Sequence, residues 1–179
     1  MFFNRTFINI AILGDRRTGK SCYVLQLLEN RFSEEYVKSK ENERKSKRIS
    51  YKERNYNLNI NIPLSDKEFD YSTPIDFYLV FFDSTSISTF DFAQNLFIKK
   101  LKDKNKMIGQ ELSSVIFVSN KIYLSGISYK EECLDFCNKN SISLFEISIK
   151  RNKGLKEKNN KIIEVFDTHV FNDSFKAIK

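Results

Sequence analysis

Short, almost continuously apolar runs recur along the chain, and three of them predict strands that are buried on both faces of a parallel sheet. These runs are Thr6–Leu13, Asp76–Phe82 and Ser114–Ser119. A shorter run, Leu144–Ser148, predicts one more strand of the same sheet. The pattern therefore favours a sheet whose central strands are covered on both sides.

Each of these runs is followed by a stretch with apolar residues at helical spacing, which predicts one helix after each strand. The predicted inner faces are Leu25, Leu28 and Phe32; Phe90, Ala93, Phe97 and Leu101; Tyr129, Cys133, Phe136 and Cys137; and Leu155, Ile162, Phe166 and Val170. Ser128–Glu131 has the form of a capping box and predicts the start of the third helix.

A different pattern follows the first predicted helix. Tyr56–Ile62 alternates aliphatic residues with asparagine, as in a strand with one buried face,. Lys47–Arg54 precedes it, and the short polar stretch Glu53–Asn55 predicts a hairpin between the two. The element order predicts a single α/β domain over residues 1–179 that is built in three layers. Its mostly parallel six-stranded sheet has one antiparallel edge strand and helices on both faces.

The turn after the first strand carries the clearest candidate chemistry. It reads Gly14, Asp15, Arg16, Arg17, Thr18, Gly19, Lys20, Ser21, which fits the phosphate-binding pattern GxxxxGK[ST],. Glycines let backbone N–H groups curve round phosphates, and the helix that follows adds a favourable dipole. We expect Lys20 to reach the β- and γ-phosphates and Ser21 to bind Mg²⁺, with Cys22 completing the loop.

Other spacings resemble the Ras and Rab small GTPases over nearly the whole chain. Phe32 lies twelve residues after Lys20, where that family has an aromatic residue beside the guanine base. Phe32–Tyr36, FSEEY, is similar to the start of switch I in Rab proteins. Ser39 stands where the family has a threonine that contacts Mg²⁺ and senses the γ-phosphate, so the resemblance implies that Ser21 and Ser39 are metal ligands.

The base-binding motifs are found further along the chain. Asn120 and Lys121 follow a predicted strand and resemble the NKxD guanine motif, and Ser148, Ile149 and Lys150 resemble the SAK motif. The resemblance implies a small GTPase that binds GTP or GDP with Mg²⁺. It also implies a cytoplasmic role in signal transduction or vesicle trafficking, with effectors or regulators bound through residues 33–75.

The catalytic pattern departs from this family. Arg16 and Arg17 replace two glycines of Ras, where they would obstruct the γ-phosphate and a partner's arginine finger, or else supply an arginine in cis. The DxxGQ motif is replaced by Asn61–Asp66. The expected acid falls on Asn61 or Ile62, the glycine on Pro63 or Leu64, and the glutamine on Leu64 or Ser65. We assign no catalytic residue and expect GTP hydrolysis to be weak or lost.

The guanine pocket departs as well. Tyr123 replaces the aspartate of NKxD, which removes the main means of selecting guanine over adenine,. Ile149 replaces the small alanine of SAK, so its branched side chain crowds the pocket while its N–H can still point at the base.

Charge and cysteine content add two expectations. The chain has a net charge of +7, and Lys38–Arg54 holds eight Lys/Arg against three Glu. This segment is either a solvated loop and edge strand or a surface for an anionic membrane or acidic partner, and nucleic acid is the less favoured ligand. The three cysteines are expected to be free thiols, and the C-terminal prenylation cysteine of Ras and Rab proteins is missing,. No secretory leader or apolar run of membrane-spanning length is apparent, which predicts a cytoplasmic protein.

Three functions compete. The first is a nucleotide-dependent switch with little or no hydrolysis, and the second is a pseudo-GTPase that serves as a protein-interaction module. The third is a lipid or nucleic-acid binder on the same scaffold. A nucleotide kinase is less favoured, because the chain shows no arginine-rich lid.

Overall fold

The computed structural model describes residues 6–33, 41–108, 112–122 and 129–176, with side chains as far as residue 167. The six strands are β1 (Phe7–Gly14), β2 (Glu43–Tyr51), β3 (Arg54–Ile62), β4 (Phe77–Asp83), β5 (Val115–Asn120) and β6 (Ser143–Glu146). They form one sheet in the order β2-β3-β1-β4-β5-β6. Only β2 and β3 pair antiparallel, so the predicted fold class is confirmed.

In the described part of the chain, three α-helices connect these strands, α1 (Lys20–Glu29), α2 (Ile87–Leu96) and α3 (Lys130–Lys139), and a fourth, α4 (Leu155–Lys176), follows β6. The chain continues from α2 through a π-helical turn, Phe97–Leu101, and a short 3₁₀ turn, Lys102–Lys104. The described part of the chain contains no helix that is both long and apolar enough to cross a membrane.

The core has two layers, one on each face of the sheet. On one side α1 and α4 cover aliphatic residues of β1, β3 and β5, among them Ile8, Leu58 and Ile116. On the other side α2 and α3 cover a mainly aromatic layer in which Phe90 and Phe117 are fully buried. Because the central strands are covered twice, β4 and β5 are buried along their whole length, as their apolar runs predict.

Most of the predicted inner helix faces are confirmed. Phe90, Ala93, Phe97 and Leu101 are all buried, and so are Tyr129, Cys133 and Cys137, while Phe136 is packed against them. In α4, Leu155, Ile162 and Phe166 are buried, and the side chain of Val170 lies outside the described residues. The three cysteines are free thiols, as expected.

Two local predictions are wrong. The predicted face of α1 ended at Phe32, but the helix ends at Glu29 because Asn30 adopts a left-handed conformation (φ 54°), and the residues it buries are Tyr23 and Val24. The hairpin turn is the two-residue loop Lys52-Glu53, with φ of 44° and 64°, rather than Glu53–Asn55,. The capping box at Ser128 lies outside the described residues.

The connection from β3 to β4, residues 63–76, contains turns but no helix. It is held against the sheet by its aromatic residues, since the ring of Phe69 lies 4.9 Å from that of Tyr71 and 6.3 Å from that of Tyr78. The ammonium of Lys100 lies over the Tyr71 ring. Among the described residues, this short, packed connection leaves the outer part of the sheet without a helix on that face.

Candidate nucleotide-binding site

The loop between β1 and α1 requires glycine at both of its ends. Gly14 has φ 130°, and a Cβ there would lie 2.2 Å from the carbonyl oxygen of Phe81. Gly19 has φ 100°, and a Cβ there would lie 2.3 Å from Nδ2 of Asn120. Both glycines therefore allow close approach of neighbouring strands to the loop. Arg17 also has positive φ (60°), a conformation that costs a non-glycine residue about 1–2 kcal/mol,.

Lys20 folds its side chain back into this loop. Its Nζ donates to the carbonyl oxygens of Gly14 (2.7 Å) and Asp15 (2.6 Å). Burial lowers the pKa of Lys20 to about 8, although the carboxylate of Asp15 acts in the opposite direction. A bound anion would stabilise the protonated ammonium and so raise the pKa of Lys20. Phosphate binding would therefore increase the protonation of this lysine.

The N-terminus of α1 supplies further donors. The first intrahelical bond of this end joins the N–H of Tyr23 to the carbonyl of Gly19 (2.9 Å). The N–H groups of Lys20 and Ser21 have no acceptor among the residues that the structure describes. Thr18, fully buried, instead turns its hydroxyl to the carbonyl of Asp15 (2.9 Å) and so holds the loop in shape. Unpaired amides at the start of a ten-residue helix fit an anion.

Asn120 joins the loop to the opposite side of the site. Its Nδ2 donates to the carbonyl of Thr18 (3.0 Å), and its Oδ1 accepts the N–H of Ile149 (3.3 Å). Asn120 is buried and its two partners lie on separate connections, so it locks the β1–α1 and β6–α4 loops together. The amide that was expected to read the base, Ile149 N–H, is therefore engaged by Asn120.

The rest of the SAK-like segment forms a tight turn. Ser148 is fully buried; its N–H donates to the carbonyl of Lys153 (3.0 Å), and its Oγ accepts the N–H of Arg151 (3.2 Å). The Ile149 side chain is buried beside Gly19, whereas Lys150 is exposed. The Ile149 side chain thus lies against the loop glycine, and crowding of the base pocket stays a prediction.

Lys121 forms an ion pair with Asp83 at the end of β4. Burial alone would raise the pKa of Asp83, but hydrogen bonds from Lys121 and Thr85 outweigh it and hold the pKa below its usual value. Tyr129 donates to the backbone carbonyl of Asp83 (2.6 Å), and burial raises the pKa of Tyr129 to about 12. Lys121, with φ 64°, is therefore held at the carboxyl edge of the sheet.

Phe32 lies just beyond the end of α1, and its side chain is exposed (38%). The next residue, Ser33, accepts a weak hydrogen bond from the thiol of Cys22 (3.6 Å). Burial raises the pKa of that thiol, and the charge of Lys121 opposes the shift. That Phe32 and Lys121 flank a base stays a prediction.

On the opposite side of the site, where a γ-phosphate would be sensed, the family's glycine falls on Pro63 or Leu64. Neither position has a free backbone N–H donor. Pro63 is buried and has no N–H, and the N–H of Leu64 donates to Oδ1 of Asn42 (2.7 Å),. Ile62 lies in the hydrophobic core, while Asn61 pairs with Ala11 and Arg44 across the sheet. Neither position that could replace the family's acid is a carboxylate.

The metal site is only partly described. Ser21 is exposed in the first turn of α1, where its hydroxyl can bind Mg²⁺, but Ser39 and Tyr123 lie outside the described residues. No group of three or more His, Cys, Asp or Glu side chains in the described part of the chain could hold a metal ion. Mg²⁺ bound here would be held by Ser21, phosphate oxygens and water, a coordination that Mg²⁺ accepts, and Ser39 stays a predicted further ligand.

A glycine-bounded loop that leads from a central parallel strand into a helix, with a partly buried lysine inside it, defines a P-loop nucleotide-binding domain. A family model described as Ras family matches residues 9–168. The chain therefore belongs to the Ras family of small GTPases, whose members bind GTP and GDP with Mg²⁺ and act through effectors and regulators. A search of curated proteins found no significant match.

Sequence reasoning missed two residues of the site, Asp83 and Asn42. Asp83 could have been found, because a carboxylate that ends a buried strand beside the strand of Asn120 must lie at the ligand-binding edge. The role of Asn42 had no such signal, since its contact with Leu64 depends on how two loops meet.

Proposed function

We propose that this Ras-family protein binds a purine nucleotide with Mg²⁺ in residues 14–22 and hydrolyses GTP slowly or not at all. The observation that carries the proposal is the partly buried ammonium of Lys20, which lies inside the loop beside the unpaired amides of α1. Donors of this kind are matched by phosphate oxygens. The presence of bound nucleotide, whether GTP or GDP, would control the binding of effectors or regulators through residues 33–75.

Base selection should be weak. Tyr123 stands in place of the guanine-reading carboxylate, and the N–H of Ile149 already donates to Asn120. Phe32 and Lys121 can still flank a purine, because stacking does not depend on the exocyclic groups of the base. We therefore expect ATP to bind nearly as well as GTP.

A second candidate, a pseudo-GTPase that acts as an interaction module, is favoured by the γ-phosphate side of the site. Pro63 has no N–H, and the N–H of Leu64 already donates to Oδ1 of Asn42. Without a backbone N–H that contacts the γ-phosphate, a protein has less means of distinguishing GTP from GDP. It would then present the same surface in every nucleotide state.

Thermal unfolding separates these candidates. The purified protein would be melted with GTP, GDP or ATP, each with and without Mg²⁺. A nucleotide at about a thousand times its dissociation constant should raise the free energy of unfolding by roughly 4 kcal/mol. Lys20→Ala should remove this gain, whereas Lys45→Gln, on the exposed edge strand, should retain it. No gain with any nucleotide would exclude the first candidate and leave the interaction module.

Lys20 also predicts a proton signature. Above pH 8 the free protein holds this lysine largely neutral, and bound phosphate would raise its pKa, so nucleotide binding at pH 9 should take up a proton,. Calorimetric titration in two buffers of different ionisation enthalpy measures that uptake. At pH 7 the lysine is already protonated, and its uptake should vanish.

A further inference from the structure

One face of the outer sheet is not covered by any helix of the described structure. We call it the open face and define it as the side chains of β1, β3 and β2 that point away from α1 and α4. Phe7 at its end is 53% exposed, and Arg44, Ser46 and Arg48 are exposed along β2. The face is open because the β3–β4 connection contains no helix that could cover it.

The strand register arranges this face in three rows. Across β1, β3 and β2 the rows are Phe7, Asn57 and Arg48; Asn9, Asn59 and Ser46; and Ala11, Asn61 and Arg44. Nδ2 of Asn59 donates to Oδ1 of Asn9 (2.9 Å) and fixes the orientation of both amides. The rows contain amides, a hydroxyl and two guanidinium groups, and they contain no carboxylate. The carboxylate of Asp76 lies at the edge of the face, where it accepts the N–H of Asn9 (2.8 Å).

A groove runs over part of the open face. It has a volume of about 470 Å³ and lies between the amide rows and a wall formed by Thr73 and Pro74. Arg44 and Ser46 line it from β2. The open face is thus concave at the Arg44 end, which allows it to enclose a chain segment.

The structure also separates the cations of β2 onto two faces. Lys45 and Lys47 lie on the side of α1, where Lys45 pairs with Glu43 and Lys47 donates to the carbonyl of Leu27. On the open face, Arg44 and Arg48 form no ion pair with any residue that the structure describes. The positive charge that remains available on this strand is therefore the arginine pair.

We propose that the open face binds an extended acidic segment of a partner protein, with two carboxylates four residues apart. Arg44 and Arg48 are four residues apart on one strand, which places them about 13 Å from each other. An extended peptide spaces the carboxylates of residues i and i+4 by the same distance. Guanidinium groups pair with carboxylates through two parallel hydrogen bonds, and the asparagine amides can bond the peptide backbone between them.

Two other polyanions fit less well. A single-stranded polynucleotide uses successive aromatic platforms and many phosphate contacts, whereas the described residues of this face offer one exposed aromatic residue, Phe7, and two cations,. A membrane surface is flat, whereas Arg44 lines a concave groove together with Thr73 and Pro74. The number and spacing of the charges favour a peptide.

The proposed function requires a partner protein, and this inference states which kind of segment that partner presents. It rests on the proposed function only in assuming that a partner exists. Binding at the open face does not require nucleotide. Lys20→Ala should therefore leave it unchanged, so the two proposals can fail independently.

The test uses a labelled peptide with two glutamates four residues apart in a glycine, serine and threonine background, measured by fluorescence anisotropy at low salt. Arg44→Gln/Arg48→Gln should weaken binding about tenfold. The matched control Lys139→Gln/Lys156→Gln removes the same charge from exposed positions of α3 and α4, away from the groove, and it should change the affinity less than twofold. A peptide with adjacent glutamates should bind more weakly to the wild type.

Equal weakening by the two double variants would overturn the proposal, because it would show attraction by net charge alone. Tighter binding of polyuridylate or of phosphatidylserine vesicles than of the peptide, with the same dependence on Arg44 and Arg48, would assign the face to nucleic acid or membrane instead. Equal affinity for both glutamate spacings would contradict the extended geometry.

Discussion

The two sides of the nucleotide site use their polar groups in opposite ways. On the side of β1, β5 and β6, Asn120 joins the β1–α1 connection to the β6–α4 connection, and Lys121 pairs with Asp83 at the end of β4. The β1–α1 loop keeps N–H donors for a phosphate. On the side of β3, Pro63 has no N–H and Leu64 donates to Asn42. Different connections therefore supply the groups for phosphate binding and those for γ-phosphate sensing, so one set can be lost without the other.

The largest expected effect is on the interlocked side. Gly19→Val would place a Cβ against the amide of Asn120 and force a branched residue into left-handed φ. We expect the free energy of unfolding to fall by about 3 kcal/mol or more, with loss of nucleotide binding. Denaturant unfolding measures the change. Arg16→Ala, at an exposed position of the same loop, should stay within about 0.5 kcal/mol, and a similar loss in both variants would contradict the close approach.

Asn120→Ala is expected to come next. It removes one donor and one acceptor from buried partners, the carbonyl of Thr18 and the N–H of Ile149, and should cost about 2 kcal/mol,. It should also loosen the site, so nucleotide affinity should fall. Asn159→Ala breaks the hydrogen bond to Tyr23 away from the loop. That variant should lose stability without a fall in affinity, and equal affinities for the two variants would refute the interlock.

A smaller effect, dependent on pH, is expected from Asp83→Asn, which removes the ion pair with Lys121. Because the folded pKa of Asp83 is lowered, its contribution is present above the unfolded pKa and is lost as pH falls through the folded pKa,. Wild type should exceed the variant by about 1 kcal/mol at pH 7, and the difference should shrink below about pH 4. The exposed pair Lys130–Glu146 provides the control, since Glu146→Gln should have little effect,. A gap that is constant across pH would rule out this ion pair as its source.

The smallest expected effect is on the open face. Arg44→Gln/Arg48→Gln should change the free energy of unfolding by less than about 0.5 kcal/mol, because both side chains are exposed and unpaired within the described structure,. Thermal unfolding measures it. A large destabilisation would mean that these arginines stabilise the fold, and the contrast between the two regions would then be wrong.

Much of the fold could be predicted because buried parallel strands have almost continuously apolar sequences. The starts of β1, β4 and β5 agree with the predicted runs to within one residue. The end of α1 could not be predicted in this way, because Phe32 continues the helical spacing by chance beyond Asn30. The hairpin turn was displaced for a related reason, since Lys52 and Glu53 adopt positive φ without a glycine to signal it.

The residues of the candidate site that belong to sequence motifs could be predicted, but most of their partners could not. Lys20, Asn120 and Lys121 could be chosen because spacing and strand context are visible in the sequence. Their partners were less accessible: the Lys121–Asp83 pair joins two strands that become neighbours only in the folded sheet. The packing of Phe69 and Tyr71, which leaves the connection after β3 without a helix, depends on contacts that no periodic pattern encodes.

Hydrogen exchange of residues 63–76, compared between the GDP-bound protein and the protein bound to a non-hydrolysable GTP analogue, tests the central claim most directly. Our account predicts protection of residues 14–22 by both nucleotides and equal exchange of residues 63–76 in the two complexes, because the N–H of Leu64 is already bonded to Asn42. Protection of residues 63–76 by the GTP analogue alone would contradict the account, since it would show that the β3 side senses the γ-phosphate.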